Sequence, residues 1–195
     1  MIKRTFDIIF SIIGIIILSP ILLFIYLMLK TTGSAFYRGR RVGKNGKIFK
    51  IWKFRTMVEN AEKIGGPSTA GDDPRLTDIG KWLKRRKLDE ISQLFNVLKG
   101  EMSFVGPRPE VKQYVDLMTE EERKMILSVR PGITDWASIW DFREEEALRG
   151  KPDPEKYYLE HIRPMKVKLQ VLYAQKRSFI TDLKIILETI WRVIN

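Results

Sequence analysis

The sequence predicts an α+β, mainly helical protein with a membrane-embedded N-terminal helix and one small globular domain. Three observations indicate this fold class: an uncharged apolar run of 22 residues near the N-terminus, a short strand-like segment after it, and apolar residues at helical spacing further along the chain. A chain of 195 residues can build one domain with a substantial core, but not two large domains. We therefore divide it into a membrane-anchoring segment, residues 1–32, and a membrane-associated domain, residues 33–195.

The apolar run Ile8–Leu29 is close to the roughly 20 residues that a membrane-spanning helix needs. Pro20 lies in its middle and cannot donate a hydrogen bond to the Ile16 carbonyl, so we expect a kink there, with the Ser19 hydroxyl available to a freed carbonyl. Pieces separated at Ser19-Pro20 would have about 14 and 10 residues and extend roughly 21 and 15 Å, less than a bilayer core of about 30 Å. The run is therefore either a kinked spanning helix or a re-entrant hairpin.

Cations flank this run on both sides, which is in mild conflict with a straight span because cations concentrate on the cytoplasmic side of membranes. A hairpin would bring both groups of cations to that side. We also expect Asp7 to pair with Lys3, which lies four residues before it. The flanking cations are Lys3, Arg4, Lys30, Arg38, Arg40 and Arg41.

Composition limits the chemistry that the chain can perform. The net charge of +11 predicts an anionic partner, which charge alone leaves as nucleic acid, anionic lipid or a phosphorylated substrate. The absence of cysteine excludes disulfides, a thiolate nucleophile and a cysteine-based zinc site. His161 is the single histidine, so a histidine-rich metal site is excluded as well, and we expect this side chain to make a structural hydrogen bond. Chemistry must rest mainly on carboxylates, cations and hydroxyls.

A strongly basic stretch follows the apolar run, with nine Lys or Arg and no acid in residues 30–55. Residues 47–57, KIFKIWKFRTM, mix β-branched, aromatic and cationic residues and read as a short strand. One interpretation is a solvated basic face that is attracted to anionic lipid. The other is that Lys53 and Arg55 bind a substrate phosphate.

The rest of the domain reads as helices joined by turn-rich segments. Residues 59–78 predict a mobile loop, and apolar spacing predicts helices over 79–86 and from 88 to a stop at Lys99-Gly100. A capping-box pattern at Thr119–Glu122 opens another helix. In the terminal helix we expect an apolar stripe to face the core, although neighbouring cations keep a membrane-surface helix open. The stripe consists of Phe179, Leu183, Ile186, Leu187, Ile190 and Ile194.

Two adjacent acids occur in RRKLDEISQLF, residues 85–95, in the first turn of a predicted helix. The helix dipole, the free amides and the preceding cations should keep Asp89 and Glu90 ionised. An ionised aspartate can act as a nucleophile, a base or a metal ligand. The alternative interpretation is that both acids simply cap the helix.

The turn at residues 106–109, Gly-Pro-Arg-Pro, presents one arginine between two prolines. The prolines restrict the backbone on both sides of Arg108, which suits a bidentate grip on phosphate oxygens. A rigid turn with a surface arginine is the simpler alternative. Carboxylates that act together with phosphates also indicate Mg²⁺, which takes one or two protein carboxylates and completes its shell with water and phosphate.

Residues 87–109, KLDEISQLFNVLKGEMSFVGPRP, carry a resemblance together with KFRTM at 53–57, VRPGIT at 129–134, and KRTFD at 3–7 with the Ser19-Pro20 break. In these motifs the chain resembles the bacterial sugar transferase family, the small monotopic phosphoglycosyl transferases. The likeness covers nearly the whole chain, and the Asp-Glu pair followed by Pro-Arg-Pro is highly specific.

The resemblance implies a fold, a location and a reaction. It favours a re-entrant membrane helix hairpin hinged at Ser19-Pro20, with a cytosolic domain of short strands and amphipathic interfacial helices at the bacterial inner membrane. It implies transfer of a sugar 1-phosphate from a UDP-sugar to polyprenyl (undecaprenyl) phosphate with release of UMP, as the first membrane step of polysaccharide or glycan assembly. The expected partners are these two substrates and membrane lipid, without nucleic acid, and a homo-oligomer is left open.

The resemblance also implies roles for individual residues. Asp89 would attack the β-phosphorus and form an aspartyl-phosphosugar, and Glu90 would ligate Mg²⁺. The residues expected to bind phosphate or nucleotide are Arg108, Lys53, Arg55, Arg130, Pro107 and Pro109.

The segment after VRPGIT, residues 135–143, departs from the common family pattern and is a candidate for choosing the sugar. The alternative function is a non-enzymatic, membrane-tethered binding or scaffold protein with a basic face. That alternative requires neither Asp89 nor a rigid Arg108.

Overall fold

The computed structural model describes residues 2–31 and 33–194. Its helices, in chain order, are α1 Ile2–Lys30, α2 Asp78–Arg85, α3 Leu94–Lys99, α4 Lys112–Asp116, α5 Glu120–Leu127, α6 Trp136–Trp140, α7 Glu144–Ala147, α8 Pro154–Tyr157, α9 Arg163–Lys176 and α10 Phe179–Ile194. Its strands are β1 Phe36–Tyr37, β2 Arg40–Val42, β3 Ile48–Lys50, β4 Lys53–Phe54, β5 Ser103–Val105 and β6 Gly132–Thr134. Short 3-10 helices cover Lys44–Gly46, Ala61–Lys63 and Leu88–Gln93, and a π-helical turn covers Tyr158–Ile162. The predicted class, mainly helical with short strands, is confirmed.

Helix α1 continues through Pro20 as one helix of 29 residues. The Ser19 hydroxyl donates to the Ile16 carbonyl at 2.7 Å, the carbonyl that proline leaves without its usual donor. The predicted use of Ser19 is therefore confirmed. The helical backbone is not divided at Ser19-Pro20 into the separate pieces of about 14 and 10 residues considered above.

Both ends of α1 contact the globular domain. Near its start, Lys3 donates to Asp182 at 2.6 Å and to the Val105 carbonyl at 2.7 Å. Asp7 accepts from the Ser103 hydroxyl at 3.0 Å, so the expected Lys3–Asp7 pair is replaced by contacts with the domain. Near its end, Leu22, Ile25 and Leu29 join a core cluster with Ala35, Phe54 and Leu83.

The opposite face of α1 is apolar and exposed. Among the described residues, α1 is the one helix that is long and apolar enough to cross a membrane. Its exposed large side chains are Ile2, Ile9, Phe10, Ile12, Ile13, Ile16, Ile17, Ile21, Leu23, Phe24 and Leu27.

The terminal helix α10 buries a different face from the one predicted. Asp182 and Ile185 are buried, whereas Leu187 and Ile194 are 67% and 75% exposed. Most of the predicted core stripe therefore faces outward, and of its members only Ile186 packs against a buried cluster. The buried face is set by Asp182, which Lys3 and Tyr173 contact at 2.6 and 2.7 Å. An exposed apolar surface of this kind is typical of membrane or partner contact.

Three two-stranded sheets connect the helices near the site. Strands β1–β4 and β2–β3 pair antiparallel, so residues 47–57 form two short strands rather than one. Strands β5 and β6 pair in parallel, with Ser103 opposite Gly132. The close β5–β6 approach continues to Gly106, where an added Cβ would lie 2.2 Å from the Arg130 carbonyl oxygen. This packing fixes the start of the Gly-Pro-Arg-Pro turn.

Two local sequence predictions are confirmed outside the sheets. Thr119 and Glu122 form the predicted capping box at the start of α5. Residues 59–78 are mostly irregular, as expected. Within the segment, Arg75 forms a buried ion pair with Asp73 at 2.7 Å, and Ser68 attaches it to the rest of the domain by donating to Glu155 at 2.6 Å. The predicted loop is therefore anchored to the domain.

Candidate active site

Asp89 and Glu90 lie in the first turn of the 3-10 helix Leu88–Gln93, as the sequence predicts. Lys87 precedes this helix with a left-handed φ of 55°, which turns the chain sharply after α2. A 3-10 helix has about three residues per turn, so adjacent side chains point about 120° apart. The two carboxylates therefore face different surroundings.

Glu90 is held by two cations. Its Oε1 accepts from Lys53 Nζ at 2.7 Å, and Arg108 binds both carboxylate oxygens, with Nη1 at 3.1 Å from Oε2 and Nη2 in contact with Oε1. Burial alone would raise the pKa of Glu90, but the charges and hydrogen bonds of Arg108 and Lys53 hold it well below its usual range. Glu90 is therefore ionised, and its carboxylate oxygens are already hydrogen-bonded to Lys53 and Arg108.

Asp89 is buried but available. It is 6% exposed, and its Oδ1 has no hydrogen-bond partner. Burial raises the pKa of Asp89, and the neighbouring Glu90 charge adds to that effect, while Lys53 and Lys84 oppose it. The direction of this shift is the reverse of the one expected from the helix dipole and the preceding cations. A desolvated carboxylate with an unpartnered oxygen has the properties of a reactive nucleophile or ligand.

Arg108 is positioned by its backbone as well as by the flanking prolines. Its amide N–H donates to Asp135 Oδ2 at 3.3 Å, and Asp135 Oδ1 accepts from both the amide and the hydroxyl of Ser138 at 2.7 Å. Asp135 is fully buried and caps α6. Asp135 was not predicted as a site residue. The sequence feature that could have indicated it is its position at the start of residues 135–143, the segment that departs from the common family pattern.

Asp89 and Arg108 line a cavity of about 440 Å³. Such a volume lies within the range of about 300–1,000 Å³ that is typical of small-molecule sites. Seven cations line the cavity, and the loop of residues 65–69 forms part of its wall. They are Arg41, Lys53, Arg55, Arg75, Lys84, Arg108 and Lys166. Lys53, Lys84 and Arg108 act on the Asp89 carboxylate through their charges, and this cationic part of the cavity is suited to a polyphosphate.

Lys84 and Arg41 are cavity residues that the sequence did not single out. Burial lowers the pKa of Lys84, and the charge of Asp89 opposes that shift. Lys84 was one of five cations between Lys81 and Lys87, and only the fold distinguishes it from its neighbours. It supplies a positive charge close to Asp89.

The cavity includes some of the predicted binding residues and not others. Lys53, Arg55, Arg108 and Pro109 line it. Arg130 is exposed, donates to the Gly100 carbonyl at 3.0 Å and does not line this cavity. Pro107 lines a separate, much smaller pocket.

The remaining predicted residues lie at the surface. Ser19 and Pro20 are on the exposed part of α1. Arg143 is exposed and forms an ion pair with Glu146 at 3.7 Å. His161 stacks on Tyr157, and its Nδ1 lies 3.3 Å from the Tyr157 carbonyl oxygen, which confirms the structural role expected for it.

The chain matches one family of known proteins. The profile of the bacterial sugar transferase family matches residues 1–195. The exopolysaccharide production protein ExoY of Sinorhizobium fredii is 35% identical over 205 residues, covering 96% of this chain and 83% of that protein.

Two larger relatives carry names that state a reaction. The UDP-glucose:undecaprenyl-phosphate glucose-1-phosphate transferase of Klebsiella pneumoniae is 38% identical over a region that covers 97% of this chain and 39% of that protein. The UDP-N-acetylgalactosamine-undecaprenyl-phosphate N-acetylgalactosaminephosphotransferase of Aeromonas hydrophila is 39% identical over a region that covers 71% of this chain and 34% of that protein. The chain thus spans most of the first relative and well under half of the other two.

Proposed function

The chain belongs to the bacterial sugar transferase family, and on that premise we propose that it transfers a sugar 1-phosphate from a UDP-sugar to polyprenyl phosphate and releases UMP. Support comes from the names of relatives that act on undecaprenyl phosphate with UDP-glucose or UDP-N-acetylgalactosamine. The expected product, a polyprenyl-diphospho-sugar, would begin the membrane stage of polysaccharide assembly.

One observation supports the mechanistic part of the proposal: of two adjacent carboxylates, one is held by cations and the other has an oxygen that is free to react. Glu90 is bound by Lys53 and Arg108, whereas Asp89 Oδ1 has no partner in a cavity rich in cations. A nucleophile needs an oxygen that is free to approach phosphorus, and only Asp89 of the pair offers one.

In the proposed first step, an Asp89 carboxylate oxygen attacks the β-phosphorus of the donor. The new P–O bond forms an aspartyl-phosphosugar, and the bond to the α-phosphate breaks with its electron pair, so UMP leaves. In the second step, a phosphate oxygen of the lipid attacks the same phosphorus and Asp89 is regenerated. Each displacement brings only one bulky partner to the site.

The cations of the cavity fit this chemistry. Arg108, Lys53 and Lys84 surround the carboxylate and would offset charge on the diphosphate as it is cleaved. The leaving group is a phosphate, which is a stable anion near neutral pH, so departure needs no proton donor. This accounts for a site without histidine.

Mg²⁺ is part of the proposal, and the residues present fit it. Asp89 offers an unpartnered oxygen, and Glu90, the ligand expected from the resemblance, has about one lone-pair site left after accepting three hydrogen bonds. When bound, the ion would neutralise diphosphate charge. UMP release should stop after chelation and return when Mg²⁺ is added.

We further propose that α1 is a re-entrant membrane helix and that the domain lies on the cytosolic face of the inner membrane. A straight helix of 29 residues would extend about 43 Å. Lys3 near its start and Leu29 near its end both contact the same globular domain. A helix that crossed the membrane would place its two ends on opposite sides, so these contacts favour a re-entrant helix. The exposed apolar faces of α1 and α10 meet where Phe6 packs on Phe179, with ring centroids 5.6 Å apart. Together they form one surface suited to lipid.

Cysteine labelling tests this topology, since the chain has no native cysteine. Single cysteines at Ile2 and at Glu121, which is exposed in the domain, should react with an impermeant reagent from the same side of sealed vesicles. Labelling from opposite sides would show a spanning helix instead.

The reaction itself is tested with purified protein, a panel of UDP-sugars, polyprenyl phosphate and Mg²⁺, by measuring UMP. We expect one or a few donors to release UMP, and Asp89→Asn to abolish release. The alternative, a binding or scaffold protein, requires no release from any donor. A phosphosugar adduct trapped on Asp89 would demonstrate the covalent step.

A further inference from the structure

A second group of polar side chains lines the same cavity and has no role in the proposed displacement steps. It consists of Glu110, Glu144, Tyr158 and Lys166. These residues neighbour one another: Lys166 Nζ contacts Glu144 and lies 5.3 Å from the centre of the Tyr158 ring. We call this group the acidic wall.

Glu110 is the least satisfied member of the acidic wall. Its side chain is 9% exposed, and its Oε2 has no hydrogen-bond partner. Arg163 and Lys166 act on Glu110 only through their charges, and burial outweighs them, so its pKa is raised. A buried carboxyl oxygen without a partner is unfavourable unless a ligand supplies a donor.

The other members form a rigid surface around Glu110. Lys166 is 6% exposed and is bound by Glu144, so neither is free to move toward a phosphate. The Tyr158 ring stacks on Tyr114 with centroids 5.4 Å apart. Tyr114 in turn donates to Glu155 at 2.6 Å, and Glu155 also holds Ser68 of the loop at 2.6 Å. The wall is therefore fixed before any ligand binds.

The chemistry of this wall differs from that of the cationic part of the cavity. Carboxylates repel phosphate oxygens but accept hydrogen bonds from hydroxyl groups, and a tyrosine adds a hydroxyl and an apolar ring. A nucleotide-sugar carries its phosphates between two rings that bear hydroxyl groups. A cavity with cations around Asp89 and acids nearby matches that division.

We propose that the acidic wall, with Glu110 as its main acceptor and Tyr158 beside it, binds the hydroxyl groups of one ring of the donor, either the transferred sugar or the ribose. This inference rests on the proposed function, because it names the part of the nucleotide-sugar that each side of the cavity takes.

The test uses the full-length protein and the UDP-sugar that gives the fastest UMP release. Glu110→Met removes both acceptor oxygens and keeps the side-chain length, Glu110→Gln retains one acceptor, and Tyr158→Phe removes only a hydroxyl. The matched control is Glu121→Met, an exposed glutamate on α5 that does not line the cavity. For Glu110→Met we expect the donor KM to rise about tenfold or more, with partial rescue in Glu110→Gln.

Inhibition by UMP identifies which ring is bound. If the sugar occupies the wall, Glu110→Met weakens the donor and leaves the UMP inhibition constant unchanged. If the ribose does, Glu110→Met weakens both ligands, and the loss is smaller for 2′-deoxy-UMP. Both results support the inference.

A different set of results would overturn it. If Glu110→Met and Tyr158→Phe both fold, by circular dichroism, and change neither the donor KM nor the UMP constant, the wall binds no part of the donor. If Glu110→Met does not fold, Tyr158→Phe decides alone. If the wild type releases no UMP from any donor, the proposed function fails, and calorimetric binding of UDP-sugars and UMP to the same variants still tests the wall.

Discussion

Arg108 binds both carboxylate oxygens of Glu90, while Asp89, the preceding residue, keeps an unpartnered oxygen. Bidentate arginine–carboxylate pairs are rigid and strongly directional. Glu90 therefore fixes the guanidinium beside Asp89, and the two adjacent acids have separate tasks: one holds the cation, and the other is available for reaction.

Replacing Arg108 by lysine should lower the rate of UMP release about 10- to 100-fold. Lysine keeps the charge but cannot bind Glu90 through two parallel hydrogen bonds. Steady-state kinetics with the preferred donor measures the loss. Arg130→Lys is the matched control, because Arg130 does not line the cavity and should tolerate the change. Equal effects of the two substitutions would contradict the role of Arg108.

Lys84→Gln should move the acidic limb of the pH–rate profile to higher pH. The Lys84 charge lowers the pKa of Asp89, so its removal raises that pKa further, and Asp89 must be ionised to attack. The profile of kcat/KM against pH reports the shift. Lys81→Gln, on the exposed side of the same helix, should leave the profile unchanged. A profile of unaltered shape in Lys84→Gln would show that this charge does not act on the nucleophile.

Asp89→Asn should abolish activity and stabilise the fold at neutral pH. The folded-state pKa of Asp89 is raised above the value of 3.8 that an unperturbed aspartate has, so ionisation costs stability as pH rises above that value. Asparagine avoids this cost, so we expect Asp89→Asn to have a higher Tm than the wild type at pH 7. The difference should shrink as the pH approaches 4. Thermal melts in one detergent at both pH values test this, and a less stable variant at pH 7 would contradict it.

Asp135→Asn should lower activity about tenfold with little loss of helix α6. Asparagine still caps a helix, but its amide group cannot accept from both Ser138 and the Arg108 backbone. Kinetics and circular dichroism separate the two effects. Asp153→Asn is a matched control, since Asp153 caps α8 through Lys156 and does not line the cavity. Full activity of Asp135→Asn would show that the Arg108 turn is fixed without this hydrogen bond.

Local pattern was sufficient for the parts of the site that are contiguous in sequence. The Asp89-Glu90 pair, its place in a first helical turn, and the rigid Arg108 turn all follow from neighbouring residues. Asp135 and Glu110 were not predicted as site residues because their roles arise from contacts across the fold, such as the Asp135–Arg108 hydrogen bond.

Two sequence predictions, the buried face of α10 and the direction of the Asp89 pKa shift, were wrong because both depend on tertiary packing. The helical period of α10 is correct, but Asp182 turns the helix so that its polar residue is buried and most of the apolar stripe is exposed. The direction of the Asp89 pKa shift follows from burial, which no count of nearby cations reveals. Sequence periodicity and charge identify which residues a helix carries, but tertiary packing determines which of its faces is buried.

The contacts of α1 bear on how this enzyme can be produced. Without α1, Phe54 and Leu83 would lose Leu22, Ile25 and Leu29 from their shared cluster, and the buried Asp182 would lose its lysine partner. Exposing this apolar cluster to water and removing the ion pair would both lower the stability of the domain. A truncated, detergent-free version that lacks residues 2–30 should therefore aggregate rather than fold, because the anchor is also part of the core.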